Sequence, residues 1–277
     1  RVMMSKLTPE DVVLRYSKRG MNILKKYLKD GYCRTAAEKL LHAERGTVLL
    51  TTGFYVAGYA ETDGPLGTVA VAEALNQLGF HSVVVTDKYC KGFFELKQLD
   101  VEYVDIAADE QVYEDILEKY HPVYMISIER CGENAEHEYA NMRGVSITSE
   151  TAAIDHLFEL APEKHIPTIG VGDGGNEIGM GNVKDIISEK LELNPCVVPV
   201  DDLIIATTSN WGAYALTAWL QKLSGEEVLF TYEEAEPYLA ATLEIGSVDG
   251  VLKEKKMGVD GFDMTVEKEI LDSLAEA

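Results

Sequence analysis

The chain has 277 residues, 46% of them hydrophobic, which is enough to bury the core of one large α/β domain or two small ones. Its 47 acidic residues outnumber its 25 basic residues, and the formal net charge is −22. Binding to nucleic acid or to an anionic membrane begins with a basic surface, so neither is expected as a partner. No apolar run reaches the roughly 18 residues of a membrane span, and residues 1–6 lack the apolar core of a secretory signal, so we expect a cytoplasmic protein.

The predicted elements begin with a helical arm in residues 1–45, because apolar residues recur at helical spacing from Thr8 to about Ala43, with a break near Gly20. Strands and helices then alternate in a sheet core, residues 46–225, and a helical tail follows in residues 226–277. The predicted strands are residues 47–52, 81–86, 101–106, 123–128, 166–171 and 203–207. The predicted helices after the arm are residues 66–78, 93–98, 112–120, 150–161, 211–223, 232–243 and 264–275, and residues 246–256 are predicted to form a mobile loop.

The predicted strands are apolar throughout, which is typical of strands buried on both faces of a parallel sheet. Right-handed helical crossovers connect such strands. We therefore expect a doubly wound, mostly parallel α/β sheet in a single domain, residues 1–277. Ligands of such sheets bind beyond the carboxyl ends of the strands, so the loops at those ends are the candidate site.

The loop after the first predicted strand, residues 51–68, carries Glu61 and Asp63 and leads into a helix that Pro65 helps to start. The free N–H groups of that first helical turn are predicted to hold an anion such as a substrate carboxylate or phosphate. A cap on the helix is an equal alternative for Asp63. The chain has no G-x-x-x-x-G-K-[ST] motif, so a nucleotide site of the Walker type is not expected.

The loop after the fourth predicted strand presents Glu129 and Arg130, and Arg143 follows shortly after. A carboxylate at a strand end offers a metal ligand or a proton acceptor. A planar guanidinium there can hold a carboxylate through two hydrogen bonds. Salt bridges between Glu129 and Arg130, or between Glu133 and Arg143, are the structural alternatives.

Residues 169–182 contain six glycines around Asp173, Asn176 and Glu177. Glycine loses more backbone entropy on folding than any other residue, so such clustering is tolerated where the chain takes positive φ or approaches something closely. The segment also matches the G-x-G-x-x-G dinucleotide fingerprint, but a poor helix follows, so we interpret the match as chance and expect no nucleotide. The oxygen atoms of this loop instead predict a site for Mg²⁺ or Mn²⁺, or for Ca²⁺.

The loop after the last predicted strand, residues 207–214, places small hydroxyls and an amide ahead of a helix. This pattern favours an N-cap, with an anion-binding turn as the alternative. The residues predicted to contact a substrate come from all four loops. They are Gly53, Tyr55, Gly64, Arg143, Gly174, Gly175, Asn176, Ser209 and Asn210.

Residues 52–67, 127–132 and 166–182 resemble the D-glutamate cyclase family, and the likeness runs from about Gly46 to Trp211. The resemblance implies a lyase that closes D-glutamate, a small anionic metabolite, to 5-oxo-D-proline with loss of water. A mechanism that fits the residues gives each group one role. Glu129, Asp173 and Glu177 hold a divalent cation as Lewis acid, Glu61 or Asp63 accepts an amine proton, and Arg130 holds the α-carboxylate.

Two other functions stay open. Carboxylates that bind Mg²⁺ or Mn²⁺ beside helix N-termini are also typical of metal-dependent phosphatases, or of other hydrolases of small phosphorylated or carboxylate metabolites. The third hypothesis is a non-catalytic assembly protein that binds a metal or a ligand, with acidic surface lining an oligomer. We expect a homo-oligomer.

Overall fold

The computed structural model describes residues 6–277. Residues 1–5, which belong to the predicted arm and to the segment without a signal core, lie outside the described residues. The strands are β1 (Thr47–Thr51), β2 (Tyr55–Val56), β3 (Tyr59–Ala60), β4 (His81–Thr86), β5 (Asp100–Tyr103), β6 (Tyr124–Ile128), β7 (Thr168–Gly172) and β8 (Asp202–Ile205). The α-helices are α1 (Pro9–Val12), α2 (Met21–Leu24), α3 (Tyr32–His42), α4 (Pro65–Gln77), α5 (Gln111–Tyr120), α6 (His156–Leu160), α7 (Lys184–Ile186), α8 (Ser209–Ser224), α9 (Tyr232–Ile245) and α10 (Met264–Glu276).

The main sheet has the strand order β5-β4-β1-β6-β7-β8, and every neighbouring pair is parallel. Counted along the chain without the small β2–β3 hairpin, this is the order 3-2-1-4-5-6 of doubly wound folds. The prediction of a doubly wound parallel sheet is therefore confirmed. The strand order reverses between β1 and β6, so a ligand crevice is expected beyond their carboxyl ends.

Helices cover both faces of the sheet. On one face α8 packs against α3 and α4. On the other face Leu157 and Phe158 of α6 lie beside Leu49 and Met125 of the two central strands. One continuous hydrophobic core joins the arm, the sheet and the tail. Among the helices within residues 6–277, none is both long and apolar enough to cross a membrane.

The arm is helical in shorter pieces than predicted. Thr8 does cap α1, and its hydroxyl and the Asp11 carboxylate form a reciprocal capping box. α1 ends at Val12, and α2 and α3 begin directly after Gly20 and Gly31, where φ is 83° and 72°. Left-handed backbone is accessible to glycine and interrupts a helix, so the predicted break near Gly20 is present, whereas the one at Gly31 was not predicted.

Two other predicted helices are also shorter. Residues 93–98 contain only a 3₁₀ turn, Glu95–Lys97, and residues 150–161 become helical only from His156. The predicted loop 246–256 is anchored at its start, because Val248 accepts a hydrogen bond from the N–H of Thr62 at 2.9 Å. Its exposed part is residues 251–256.

Candidate active site at the carboxyl ends of the strands

A cavity of about 270 Å³ opens beyond the carboxyl ends of β1, β6 and β7. This is the crevice that the strand order predicts, and its volume lies just below the 300–1,000 Å³ typical of sites for drug-sized ligands. The cavity suits a small metabolite. Its charged lining residues are Glu61, Glu129, Asp173, Arg19, Arg143 and Lys253.

Three further buried carboxylates belong to the same group as the acids of the lining. Oxygen atoms from the members of each of three overlapping trios lie within 4.8 Å of one another. The trios are Glu61–Asp63–Glu129, Asp63–Asp173–Asp260 and Glu129–Asp173–Glu177. We call these six residues the carboxylate cluster. It brings together all five acids that the sequence singled out and adds Asp260.

Burial dominates the electrostatics of the cluster. Desolvation, with the charges of neighbouring carboxylates, holds the pKa values of Glu61, Glu129 and Asp173 well above their usual range. The same causes raise the pKa of Asp260 to about 6, although Arg19 opposes the shift. Burial and mutual repulsion thus disfavour the charged forms of these carboxyl groups, and a cation placed among them would offset that cost.

Two members of the cluster lie on unusual backbone. Glu129 and Asp260 have φ values of 50° and 52°, in the left-handed region that side chains other than glycine rarely adopt. Such conformations cost of order 1–3 kcal/mol and concentrate at functional sites. At Glu129 the turn follows β6 directly, and Oε2 accepts a 2.5 Å hydrogen bond from the Ser209 hydroxyl.

The start of α4 does not present free N–H groups to the cavity, in contrast to the prediction. The N–H groups of Gly64 and Gly67 donate to Oδ1 of Asn210 at 2.8 and 2.9 Å. In return, Asp63 accepts hydrogen bonds from the N–H groups of Ser209 and Asn210 at 3.0 and 2.7 Å. Asp63 therefore caps α8 and not its own helix, because α4 and α8 begin side by side.

Glu177 turns back into the glycine loop. Its carboxylate accepts hydrogen bonds from the N–H groups of Asp173, Gly174 and Gly175 at 2.6, 2.9 and 2.7 Å. Such a concave set of amides is the arrangement that binds phosphate in other proteins, and here a carboxylate of the chain itself fills it. A carboxylate offers about four lone-pair sites, so one site of Glu177 stays free for a metal ion.

The glycines of this loop serve close packing of the chain on itself. A Cβ atom at Gly170 would lie 2.7 Å from the carbonyl oxygen of Ile178, and one at Gly181 would lie 2.4 Å from that of Val197. Both distances are shorter than van der Waals contact allows. The loop thus folds back along β7, which sequence reasoning interpreted only as a way to present ligands.

Arg130 does not reach the cavity, although it was predicted to hold a substrate carboxylate. It lies in the core, where Nη1 is 2.5 Å from Oδ2 of Asp87 and 3.1 Å from the carbonyl oxygen of Gly53. Nη2 donates to the carbonyl oxygen of Ala152 at 2.7 Å. A buried charge needs such partners, so Arg130 is a structural residue and its predicted pairing with Glu129 does not form.

Arg19 and Asp260 are two members of the site that sequence reasoning missed, and Lys253 of the cavity lining is a third. Nη1 of Arg19 lies 3.1 Å from Oδ1 of Asp173 and 3.2 Å from Oδ2 of Asp260. Neither residue follows a strand of the sheet, and neither belongs to a motif, so no local signal in the sequence marks them. The arm and the tail bring them to the cavity from opposite ends of the chain.

The remaining predicted substrate contacts fall into two groups. Tyr55, Arg143 and Asn176 line the cavity, and Gly174 and Gly175 line an adjoining cavity of about 230 Å³ that shares Arg143 and Asn176. The others lie behind the lining. They are Gly53, Gly64, Ser209 and Asn210.

The cluster fits a divalent cation. Oδ2 of Asp173 is buried without a hydrogen-bond partner, and Asp173 lines the cavity. Leaving a buried carboxylate oxygen unpaired is costly, so a ligand is expected there. The donors are all carboxylate oxygens, which Mg²⁺, Mn²⁺ and Ca²⁺ prefer. A fourth acidic trio, Glu133, Asp155 and Glu159, lies outside the cavity lining.

Comparison with solved structures gives distant likenesses. The structure of UDP-glucose 4-epimerase from Brucella ovis in complex with NAD is 14% identical, with a TM-score of 0.33, over 53% of this chain and 49% of that one. A glycosyltransferase from Rickettsia africae ESF-5 is 13% identical, with a TM-score of 0.30, over 58% of this chain and 42% of that one. Scores this low support no argument about function.

Comparison of sequences is more informative. The mitochondrial D-glutamate cyclase of Homo sapiens is 33% identical over 213 residues, which cover 67% of this chain and 34% of the human protein. The chain thus spans about a third of the length of that relative. The family described as D-glutamate cyclase-like, C-terminal, matches residues 10–275. This match covers nearly the whole chain, and the chain belongs to the D-glutamate cyclase-like family.

Proposed function

We propose that the chain is a lyase of the D-glutamate cyclase type, which dehydrates D-glutamate to 5-oxo-D-proline with Mg²⁺ or Mn²⁺ at the carboxylate cluster. The observation that carries the proposal is the cavity of this family member, which is lined both by buried carboxylates and by cationic side chains without an ion-pair partner. Within residues 6–277, neither Arg143 nor Lys253 forms an ion pair within 4.0 Å.

Substrate binding is assigned to these two cations. D-Glutamate carries two carboxylates and an ammonium group, so it matches a cavity that has both cationic and acidic lining. Arg143 takes the role first expected of Arg130, since its guanidinium can hold a carboxylate through two hydrogen bonds. Lys253 supplies a second positive charge at the same cavity.

The reaction joins the amine nitrogen to the γ-carboxyl carbon and releases one carboxyl oxygen as water. The ammonium group loses two protons, and both leave with that oxygen, so atoms and charge balance. Glu61 lies in the cavity and is placed to accept a proton from the amine. Glu61 is also placed to return that proton to the departing oxygen, so that Glu129 stays available as a ligand of the cation.

The residues that would hold the cation are Glu129, Asp173 and Glu177, which form one of the trios. Bound there, a divalent cation supplies Lewis acidity that makes a carboxylate a better electrophile. The protein's own contribution is a set of buried carboxylates at the base of the cavity. In such surroundings, fixed charges act more strongly than they do in water.

The test is to incubate metal-stripped protein with D-glutamate, add Mg²⁺ or Mn²⁺, and follow 5-oxo-D-proline by chiral chromatography, with L-glutamate as the control. We expect product only with D-glutamate and only with metal. The same protein is offered small phosphoesters in parallel. Metal-dependent phosphate release without any 5-oxo-D-proline would replace this proposal with a hydrolase.

That hydrolase is the second candidate function. It is favoured by the fact that the three acidic trios of the cluster share residues with one another. Two ions in adjoining trios would share a carboxylate, as metal ions do in two-metal phosphatases. A metal-binding protein that turns over neither class of substrate would instead be the non-catalytic assembly protein.

Asp173→Asn tests the cation directly. The amide removes one anionic ligand, and we expect Mn²⁺ to bind at least roughly tenfold more weakly, with a corresponding loss of activity. The matched control is Glu10→Gln, which changes another buried carboxylate outside the cavity lining and outside all four acidic trios. Calorimetric titration measures both variants. Unchanged Mn²⁺ affinity in Asp173→Asn would contradict the assignment.

A further inference from the structure

The guanidinium of Arg19 lies among the six carboxylates as an internal cation. It pairs with Asp173 and Asp260, and within residues 6–277 no other Lys or Arg nitrogen lies within 4.0 Å of a carboxylate of the cluster. The positive charge comes from an arm that is far from the strand ends in sequence. Its placement therefore calls for a role at the cluster itself.

The arm is also held by two residues that precede Arg19 in the chain. Nζ of Lys18 donates to the carbonyl oxygen of Asp260 at 3.3 Å, and Nη1 of Arg15 donates to Oγ of Ser273 at 2.8 Å. Both partners belong to the tail. Arg19 is thus held in place by its neighbours and does not depend on its own ion pairs alone.

Both ion-pair partners of Arg19 belong to one of the three trios. Asp173 and Asp260 both belong to the trio that Asp63 completes. Asp173 uses Oδ1 for Arg19 and keeps Oδ2 buried and without a partner. The guanidinium therefore pairs with two of the three acids in the trio of Asp63, Asp173 and Asp260, and leaves an oxygen of Asp173 to the trio of Glu129 and Glu177.

We propose that Arg19 takes the place of one divalent cation in the carboxylate cluster, so that removing its charge opens one additional metal site at Asp63, Asp173 and Asp260. This inference rests on the divalent cation of the proposed function and concerns how many ions the cluster accepts. In the wild-type protein, a fixed organic cation neutralises part of the cluster. A metal ion is then excluded from that part by charge and by volume.

The experiment is a calorimetric titration of metal-stripped protein with Mn²⁺. We expect Arg19→Gln to bind one more Mn²⁺ per chain than the wild type. We also expect its first ion to bind about tenfold more tightly, because a nearby positive charge is gone. The matched control is Arg15→Gln, which loosens the same arm outside the cluster, and it should bind as many ions as the wild type.

A second variant locates the extra site. Arg19→Gln combined with Asp260→Asn lacks one ligand of the proposed trio and should return to the wild-type count. If Arg19→Gln does not fold by circular dichroism, Arg19→Met provides a neutral side chain of similar length for the same titration. An extra ion that persists in the double variant overturns the proposal.

The outcomes separate this inference from the proposed function. Equal counts in the wild type and Arg19→Gln overturn the inference, whatever the substrate is. A gain of one ion in Arg15→Gln also overturns it, because the effect would then come from loosening of the arm. One extra ion in Arg19→Gln alone supports it, even if D-glutamate is not consumed.

Discussion

The adjacent residues Glu129 and Arg130 have opposite environments, and the backbone explains why. Successive side chains at a strand end point to opposite sides, and the left-handed turn at Glu129 brings its carboxylate into the cavity. Arg130 instead enters the core and pairs with Asp87. Two neighbouring charges thus differ completely in role.

This contrast predicts different consequences for two arginines. Arg130→Met leaves Asp87 as an unpaired buried charge, and we expect unfolding free energy to fall by about 3–5 kcal/mol. Arg143→Met changes an exposed side chain, so stability should stay within about 0.5 kcal/mol while KM for D-glutamate rises. Urea unfolding and steady-state kinetics measure the two effects. The reverse pattern, a stable Arg130→Met protein with raised KM, would return Arg130 to the site.

At the scale of elements, α4 and α8 are locked together where both helices begin. Asn210 binds the N–H groups of Gly64 and Gly67, and Asp63 binds the start of α8. The two helices can approach closely because Gly67 has no Cβ atom. A Cβ at this position would lie only 2.8 Å from the Cβ of Ala213. The same helix start supplies the Ser209 hydroxyl that holds Glu129, so helix packing positions a residue of the cavity.

Asn210→Ala should therefore affect both stability and the site. Two buried N–H groups lose their acceptor, and we expect a loss of about 1–2 kcal/mol in urea unfolding together with weaker Mn²⁺ binding. The control is Thr231→Ala, which removes the side-chain cap of α9 at the surface. It should cost about 1 kcal/mol and leave Mn²⁺ binding unchanged. Equal Mn²⁺ affinity in the two variants would show that the helix lock does not support the site.

A second contact between elements joins the tail to α8. Glu267 of α10 is buried and accepts hydrogen bonds from Trp211 Nε1 and the Tyr214 hydroxyl, both at 2.8 Å. Burial raises its pKa from the usual 4.5 to about 7, although both hydrogen bonds oppose the shift. The folded protein therefore binds this proton more tightly than the unfolded chain does.

Stability should consequently depend on pH through Glu267. Its contribution is fully present below about pH 4.5 and is lost as pH rises through about 7, because the unfolded chain gives up the proton first. Glu267→Gln removes this dependence, and the difference between wild type and variant should change by up to about 3 kcal/mol between pH 4 and 8. Urea unfolding across this range measures it. Glu276→Gln, an exposed change on the same helix, should leave the pH profile unchanged, and a similar profile for both variants would contradict the argument.

At the scale of the whole molecule, the carboxylate cluster exists only in the folded chain. Its members come from residues 61–63, 129, 173–177 and 260, which are distant in the unfolded state. A cation bound to the cluster must then stabilise the fold by mass action. The gain is about 2.7 kcal/mol when the free ion concentration is 100 times Kd.

Mn²⁺ should accordingly raise Tm by several degrees relative to protein in EDTA. Differential scanning calorimetry at several Mn²⁺ concentrations measures the shift, which should grow with the logarithm of concentration. Asp173→Asn is the control, since it loses a ligand and should need more Mn²⁺ for the same shift. An identical Tm with Mn²⁺ and with EDTA would contradict binding to the folded state.

Much of the fold and part of the site follow from local patterns. Apolar strands alternating with helices predicted the doubly wound sheet, and a homo-oligomer and a cytoplasmic location stay predictions of the sequence. Parallel strands deliver their carboxyl ends to one edge, so the polar residues after β1, β6 and β7 had to meet. Glu61, Glu129 and Asp173 could be found this way because position along the chain is enough to place them.

Which charged side chains pair with one another could be known only from the three-dimensional structure. Arg130 lies next to Glu129 but pairs with Asp87, and the cation that enters the cluster is Arg19 from the arm. Buried charges pair with whichever group the packing brings within reach, and that group is often distant along the chain. The amino-acid pattern by itself therefore determined the fold and the strand ends that carry the candidate site. The packing of the arm and the tail decided which charges face one another, because ion pairing depends on proximity in space and not on position along the chain.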